Sequence, residues 1–190
     1  MISLNRVLGI LGVSAALFAS QIAGAGQPVP TATPYCLDGY GRNVPINDPQ
    51  VLGFKQSIQN EAPNPVRAHV YGVMVAGYAD QTGHAHFGIQ IGQATTDTVE
   101  IIYDLLFGTL PAIPLGTRVE ACGDYFTANA PAKGYPASPD GAIIHWVHLD
   151  PKRTAGAHPD GFLVLNGEVF GTDLSHASNN YTFFRRGAND

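Results

Sequence analysis

Val66-Arg-Ala-His-Val-Tyr-Gly-Val-Met-Val-Ala-Gly-Tyr78, His84-Ala-His-Phe-Gly-Ile-Gln-Ile91 and Thr98-Val-Glu-Ile-Ile-Tyr103 are three successive runs rich in branched and aromatic residues, separated by turn-formers at Asp80–Gly83 and Gly92–Asp97. Short runs of this composition between turn signals specify strands, and the alternation in the second marks one buried face. Beyond them, Leu115-Gly-Thr-Arg-Val-Glu-Ala-Cys-Gly-Asp-Tyr-Phe126 reads as a tight turn feeding a strand that bends at Gly123. A glycine inside a strand commonly marks a barrel corner. Leu105 to Pro114 is apolar but broken by Gly108, Pro111 and Pro114, so it is expected to be a packed loop with one turn of helix. Ala142 to Leu149 reads as a buried strand, and Phe162 to Phe170 as a hairpin about Asn166-Gly167. Upstream, Asp48 is placed as an N-cap with Pro49 at N1, and Val51, Phe54 and Ile58 share a face, which predicts one helix from Pro49 to Asn60. Five to seven short strands and one short N-terminal helix make a mainly β protein, a small OB-like barrel, closed or partly open, with a sandwich as the alternative.

The remaining sequence sets the compartment. Residues 1–25 have the form of a signal peptide, with Arg6, an apolar run from Val7 to Ala19 and a small-x-small site at Ala23-Gly24-Ala25. A Pro/Thr-rich linker follows over 26–35, then the barrel domain over 36–172 and an irregular tail over 173–190 carrying Tyr181, Phe183 and Phe184. A secreted chain is expected, periplasmic or extracellular, with no membrane anchor. Two cysteines, Cys36 and Cys122, then read as one disulfide. The formal charge is −5, and removing Arg6 with the leader makes it one more negative. No block of Lys or Arg supplies the basic face that tight nucleic-acid binding requires.

Three of the seven histidines fall between Gly141 and Gly161, in Ile144-His-Trp-Val-His-Leu-Asp-Pro151 and His158-Pro-Asp-Gly-Phe162. With His84-x-x-Phe87, Leu115–Glu120, Gly123-Asp124-Tyr125 and Asn166-Gly167, these stretches resemble a family of small exported bacterial proteins known only as a domain of unknown function. That resemblance covers roughly Val66 to Phe170 and implies an OB-like fold; it brings no activity. The chain departs from the family pattern at Leu149, where a histidine is usual, at Phe162, where tryptophan is usual, and in the longer spacer Lys152 to Ala157.

If Ala142 to Leu149 continues as a strand, alternate residues share a face, which puts Trp146, His148 and Asp150 together and His145 opposite. His148 and Asp150, joined by His158 from across the turn, would hold a divalent metal such as zinc. The bland alternative is a turn in which the carboxylate accepts backbone amides. Trp146 reads as core and His145 as a satisfied buried imidazole. Asn180-Tyr181-Thr182 fits a glycosylation acceptor. No Gly-x-Ser-x-Gly elbow, Walker loop or His-Glu-x-x-His is present. Two functions follow. One is a ligand-binding module for a small or oligomeric ligand, with His84, His86, His145 and Trp146 among the contacts. The other is a metal-assisted phosphodiesterase with His148 as general base and Arg153 steadying the developing charge.

Overall fold

The structure is a computed structural model and describes residues 32–57, 66–132, 134–152 and 158–174. The leader, the end of the expected helix, Arg153 and the tail with its aromatic residues and glycosylation motif lie outside these. Among the described residues there are seven strands: β1 Val66–Gly77, β2 His84–Gln90, β3 Thr98–Asp104, β4 Arg118–Thr127, β5 Ala142–His145, β6 Phe162–Leu165 and β7 Glu168–Phe170. The hydrogen-bonded order β1-β2-β3-β5-β4 returns onto β1, so the first five strands close into a barrel. β3 and β5 run parallel, and every other pairing is antiparallel. This is the OB-like barrel expected from the strand count, with the β6–β7 hairpin added outside it. Among the described residues no helix is long and apolar enough to cross a membrane.

Period-two patterning builds the interior. Val70, Phe87, Ile89, Ile101, Tyr103, Tyr125 and Ile144 point inward and are fully or almost fully buried. Helix α1, Asp48–Gln56, packs on β1 and β4, burying Val51 and setting Phe54 5.7 Å from the Tyr125 ring. Two details differ from the sequence expectation. Asn47 is the N-cap, and both Asn47 and Asp48 turn their side-chain oxygens to strand β1, accepting from the amides of His69 and Tyr71. They satisfy a stretch of β1 that β2 does not reach, since β2 pairs only from Val73 onward. The helix also stops at Gln56, where Ser57 turns to extended backbone and bonds back to the Phe54 carbonyl.

Strand β4 is the hub. One edge pairs with β1 from Arg118 to Tyr125; the other is shared, with β6 on Val119–Cys122 and β5 on Asp124–Thr127. Its outward residues Cys122 and Asp124 are covered rather than exposed. Cys122 is bonded to Cys36 as expected, and Phe162 and Val164 pack there with Val44 and Val169 in a second small core. Beside it, Arg67 and Asp124 sit directly opposite in the β1–β4 register and form a salt bridge of 2.9 Å, with side chains 6% and 3% exposed. The Arg67 guanidinium also donates to Cys122 Sγ and the Asp160 carbonyl.

Two stability predictions follow. The disulfide closes a loop with a sequence separation of 86, so its reduction should lower unfolding free energy by roughly 4–5 kcal/mol in the chain-entropy account; denaturant melts with and without reductant measure this. Asp124→Ala strands a buried guanidinium and should cost about 3–5 kcal/mol. Replacing Arg67 and Asp124 together by apolar residues of similar volume should cost less than the single change, as a shift in denaturant midpoint.

Candidate functional site

The outer face of β2, β3 and β5 forms the floor of a cleft of about 530 Å³. Alternation dictates its occupants: residues two apart on each strand point away from the barrel interior, which gives His84 and His86 on β2, Glu100 and Ile102 on β3, and Ile143 and His145 on β5. Register aligns them, with His86 opposite Ile102 and Glu100 opposite Ile143. Gln81 and Thr82 of the β1–β2 turn bound one side. The loop between β4 and β5 forms the other wall with Ala128, Tyr135, Pro136 and Pro139, and is held in shape by the Ser138 amide bonding to the Ala128 carbonyl and a bridge between Ala132 and Tyr135.

Strand β5 ends at His145 instead of continuing to Leu149. Trp146 adopts φ of 56°, a left-handed conformation that breaks the strand and redirects the indole. The expected alternation of Trp146, His148 and Asp150 therefore does not hold. Trp146 lines the cleft beside His145 rather than serving as core. Its indole lies near-parallel to the imidazoles of His145 (5.4 Å, 24°) and His158 (5.0 Å, 5°), with Phe126 edge-on at 5.4 Å. His158 meets His148 edge-to-face at 5.0 Å, and His148 stacks on Phe107 at 3.8 Å. On the other side His145 is 5.6 Å from His84, which is 6.4 Å from His86. Five imidazoles from three segments thus gather in one row of rings through Trp146.

The row divides by depth. His84, His86, His145 and Trp146 line the cleft, whereas His148 is 4% exposed and lies behind it. Asp150 belongs to a turn: its amide donates to Asp160 Oδ1 and its own Oδ1 accepts from the Lys152 amide. This is the carboxylate-to-backbone arrangement weighed against metal binding from sequence. Among the described residues no group of three His, Cys, Asp or Glu side chains is placed to hold a metal ion, so His148, Asp150 and His158 do not form the expected ligand set. Arg153, expected to steady charge, lies outside the described residues.

Electrostatics separate the histidines further. Burial, reinforced by neighbouring imidazoles at positions 84, 158 and 86, pulls His145 down to about 4. Burial pulls His148 down to about 3, against the opposing effect of its bond to the Leu149 carbonyl. Both are neutral near pH 7. A buried imidazole held that low is a weak proton acceptor and does not suit general-base work near neutrality. In the cleft, His86 Nδ1 donates to Glu100 Oε1 at 2.7 Å, and Glu100 is itself 5% exposed. No Lys or Arg is among the described residues that line the cleft.

Sequence reasoning missed Glu100, Phe126 and the whole β4–β5 wall. Glu100 carries a visible signal, an acid at an outward position of the strand next to the one that bears the histidine pair. Tyr135 is one aromatic in a Gly/Pro/Ala-rich loop, and only the fold brings it over the floor. No family model matches the chain, and no curated protein matches it.

A pH prediction follows from the two depressed histidines. The unfolded chain takes up protons at His145 and His148 near 6.5, whereas the fold resists until about 4 and about 3. Their contribution is fully present above about pH 6.5 and falls as pH drops toward those values, by about 1.4 kcal/mol per pH unit for each imidazole. Denaturant melts between pH 7 and 4.5 should show this slope, and His148→Gln should flatten it by about one proton.

Proposed function

We propose that this protein is an exported, non-enzymatic binding module whose cleft over β2, β3 and β5 takes a neutral ligand with a planar, apolar face. The observation that carries this reading is the composition of the cleft. Trp146, Tyr135, Phe126 and two prolines supply apolar surface, and a few convergent polar groups, chiefly Glu100 and His86, supply direction. Binding sites for small molecules generally have this character. Barrels of this architecture take oligosaccharides and oligonucleotides on the face of strands 2 and 3 between the flanking loops.

Charge favours the first of those ligand classes. A phosphate backbone needs cations, and this cleft offers neutral His145, a buried carboxylate at Glu100 and no Lys or Arg among its described lining residues. A neutral sugar ring presents an apolar face to aromatic side chains and hydroxyl donors to a carboxylate. The disulfide and the leader-like residues 1–25 fit an exported protein, where such ligands are met.

The chain has one tryptophan, so its emission reports on the cleft directly. Titration with neutral oligosaccharides of glucose and N-acetylglucosamine should perturb Trp146 emission, while single-stranded oligonucleotides should not. Tyr135 is 64% exposed, so Tyr135→Ala leaves the fold intact and should weaken binding about tenfold. Saturable oligonucleotide binding, or sugar binding that neither alters the emission nor responds to Tyr135→Ala, would overturn the reading.

A further inference from the structure

Tyr78 and Asp140 meet across strand β2, and the place where they meet limits the cleft. The Tyr78 hydroxyl donates to Asp140 Oδ2 at 2.9 Å. Tyr78 follows the last residue of β1, and Asp140 stands at the β5 end of the β4–β5 loop, so this single bond joins the two connections that flank the cleft. It passes directly over Gly88. A Cβ at that position would stand 2.7 Å from the Tyr78 hydroxyl and 2.8 Å from the Asp140 carboxylate. His86, two residues earlier on the same face, is open to the cleft, and so is Glu100, the β3 partner of Gly88. Gly88 and the next outward pair, Gln90 and Thr98, are not part of the lining.

The bridge is braced. The Asp140 amide donates to Ser138 Oγ, fixing the carboxylate on its loop. Lys55 of α1 is electrostatically coupled to Asp140 and donates to the carbonyls of Thr96 and Thr98, which anchors it on the far side of the bridge. Burial, with Asp140 and Glu100 nearby, holds the Tyr78 phenol above its ordinary range, so it remains a donor at any physiological pH. The bridge therefore fills the space over Gly88, and the lining of the cleft stops short of it at His86, Glu100 and Ser138, without Tyr78 or Asp140 themselves. The last polar groups of the floor before the bridge are Glu100 and His86. Oε1 of Glu100 accepts from His86, and its second oxygen has no hydrogen-bond partner among the described residues.

From this we infer that the cleft is blind at the end blocked by the Tyr78–Asp140 bridge and captures the end of a neutral glycan chain, with the hydroxyls of the terminal ring directed to Glu100 and His86. An internal segment of a polymer would have to continue through the bridge. This inference rests on the proposed neutral-ligand reading and adds to it the part of the ligand that is recognised. Glu100 suits a chain end because a terminal ring carries a free hydroxyl where an internal ring carries a glycosidic oxygen, and only the hydroxyl can donate to a carboxylate.

Trp146 emission tests it with three probes of the same sugar: linear oligosaccharides of two to six units, the long polymer, and a cyclic oligosaccharide that has no end. Linear chains should bind, the polymer should bind in proportion to its concentration of ends, and the cyclic form should bind about tenfold or more weakly than the linear one. Tyr78→Phe keeps the ring and removes the bond, and Asp140→Asn weakens the same bond from the other side. Either should bring the cyclic and linear affinities to within about threefold of each other. Equal binding of cyclic and linear forms by the unaltered protein overturns the blind end and leaves the neutral-ligand reading standing. A linear preference that survives both substitutions overturns the role of the bridge. Failure of every sugar probe to alter the emission overturns the neutral-ligand reading and this inference with it.

Discussion

The carbonyl of His145 occupies the space that any side chain at position 123 would need, and an added Cβ on Gly123 would stand 2.4 Å from it. That close passage of β5 over β4 organises the rest of the molecule. It lets β5 pair with the far half of β4 while β6 takes the near half, so one strand serves three partners and the barrel closes. It also marks where β5 stops. Immediately afterward Trp146 turns left-handed, and Gly161 repeats the device from the returning chain, where a Cβ would meet the Trp146 carbonyl at 2.1 Å. Two glycines in the packed crossing thus fix the indole that the cleft is built around.

Around this crossing, polar groups are allocated by depth. The deepest charges, Arg67 and Asp124, satisfy each other behind β4 and serve the fold. His69 does the same with Glu120 and the Val44 carbonyl. His148 and Asp150 are engaged with nearby backbone. Facing the cleft are His84, the neutral imidazole of His145, the Glu100 carboxylate paired to His86 on one oxygen, and a large aromatic surface.

Much of this was legible in the residues. Alternation in His84–Ile91, the broken apolar segment after Tyr103 and the Asn166-Gly167 turn lead to strands, a single 3₁₀ turn and a hairpin, because each depends on local preferences. The pairing of Cys36 with Cys122 needed only a count and a compartment. The error came at Trp146, where an apolar run with branched residues reads as continuous strand. Nothing local marks a tryptophan that will take a positive φ; the crossing glycines sit 23 residues before it and 15 after it in sequence. That single break moved Trp146 into the cleft and left His148 and Asp150 behind it. The β4–β5 wall was invisible for a different reason: alanine, proline and glycine carry no chemistry until a floor is placed beneath them.

The central claim is that ligand meets the outer face of β2, β3 and β5, and the molecule offers a competing surface that makes the claim sharp. Tyr71, Val73 and Val75 form an exposed apolar stripe on β1. Amide chemical-shift mapping during titration with a neutral oligosaccharide distinguishes the two faces. The account requires shifts at His84, His86, Glu100, Ile143, His145 and the β4–β5 loop; shifts confined to Tyr71, Val73 and Val75 would contradict it.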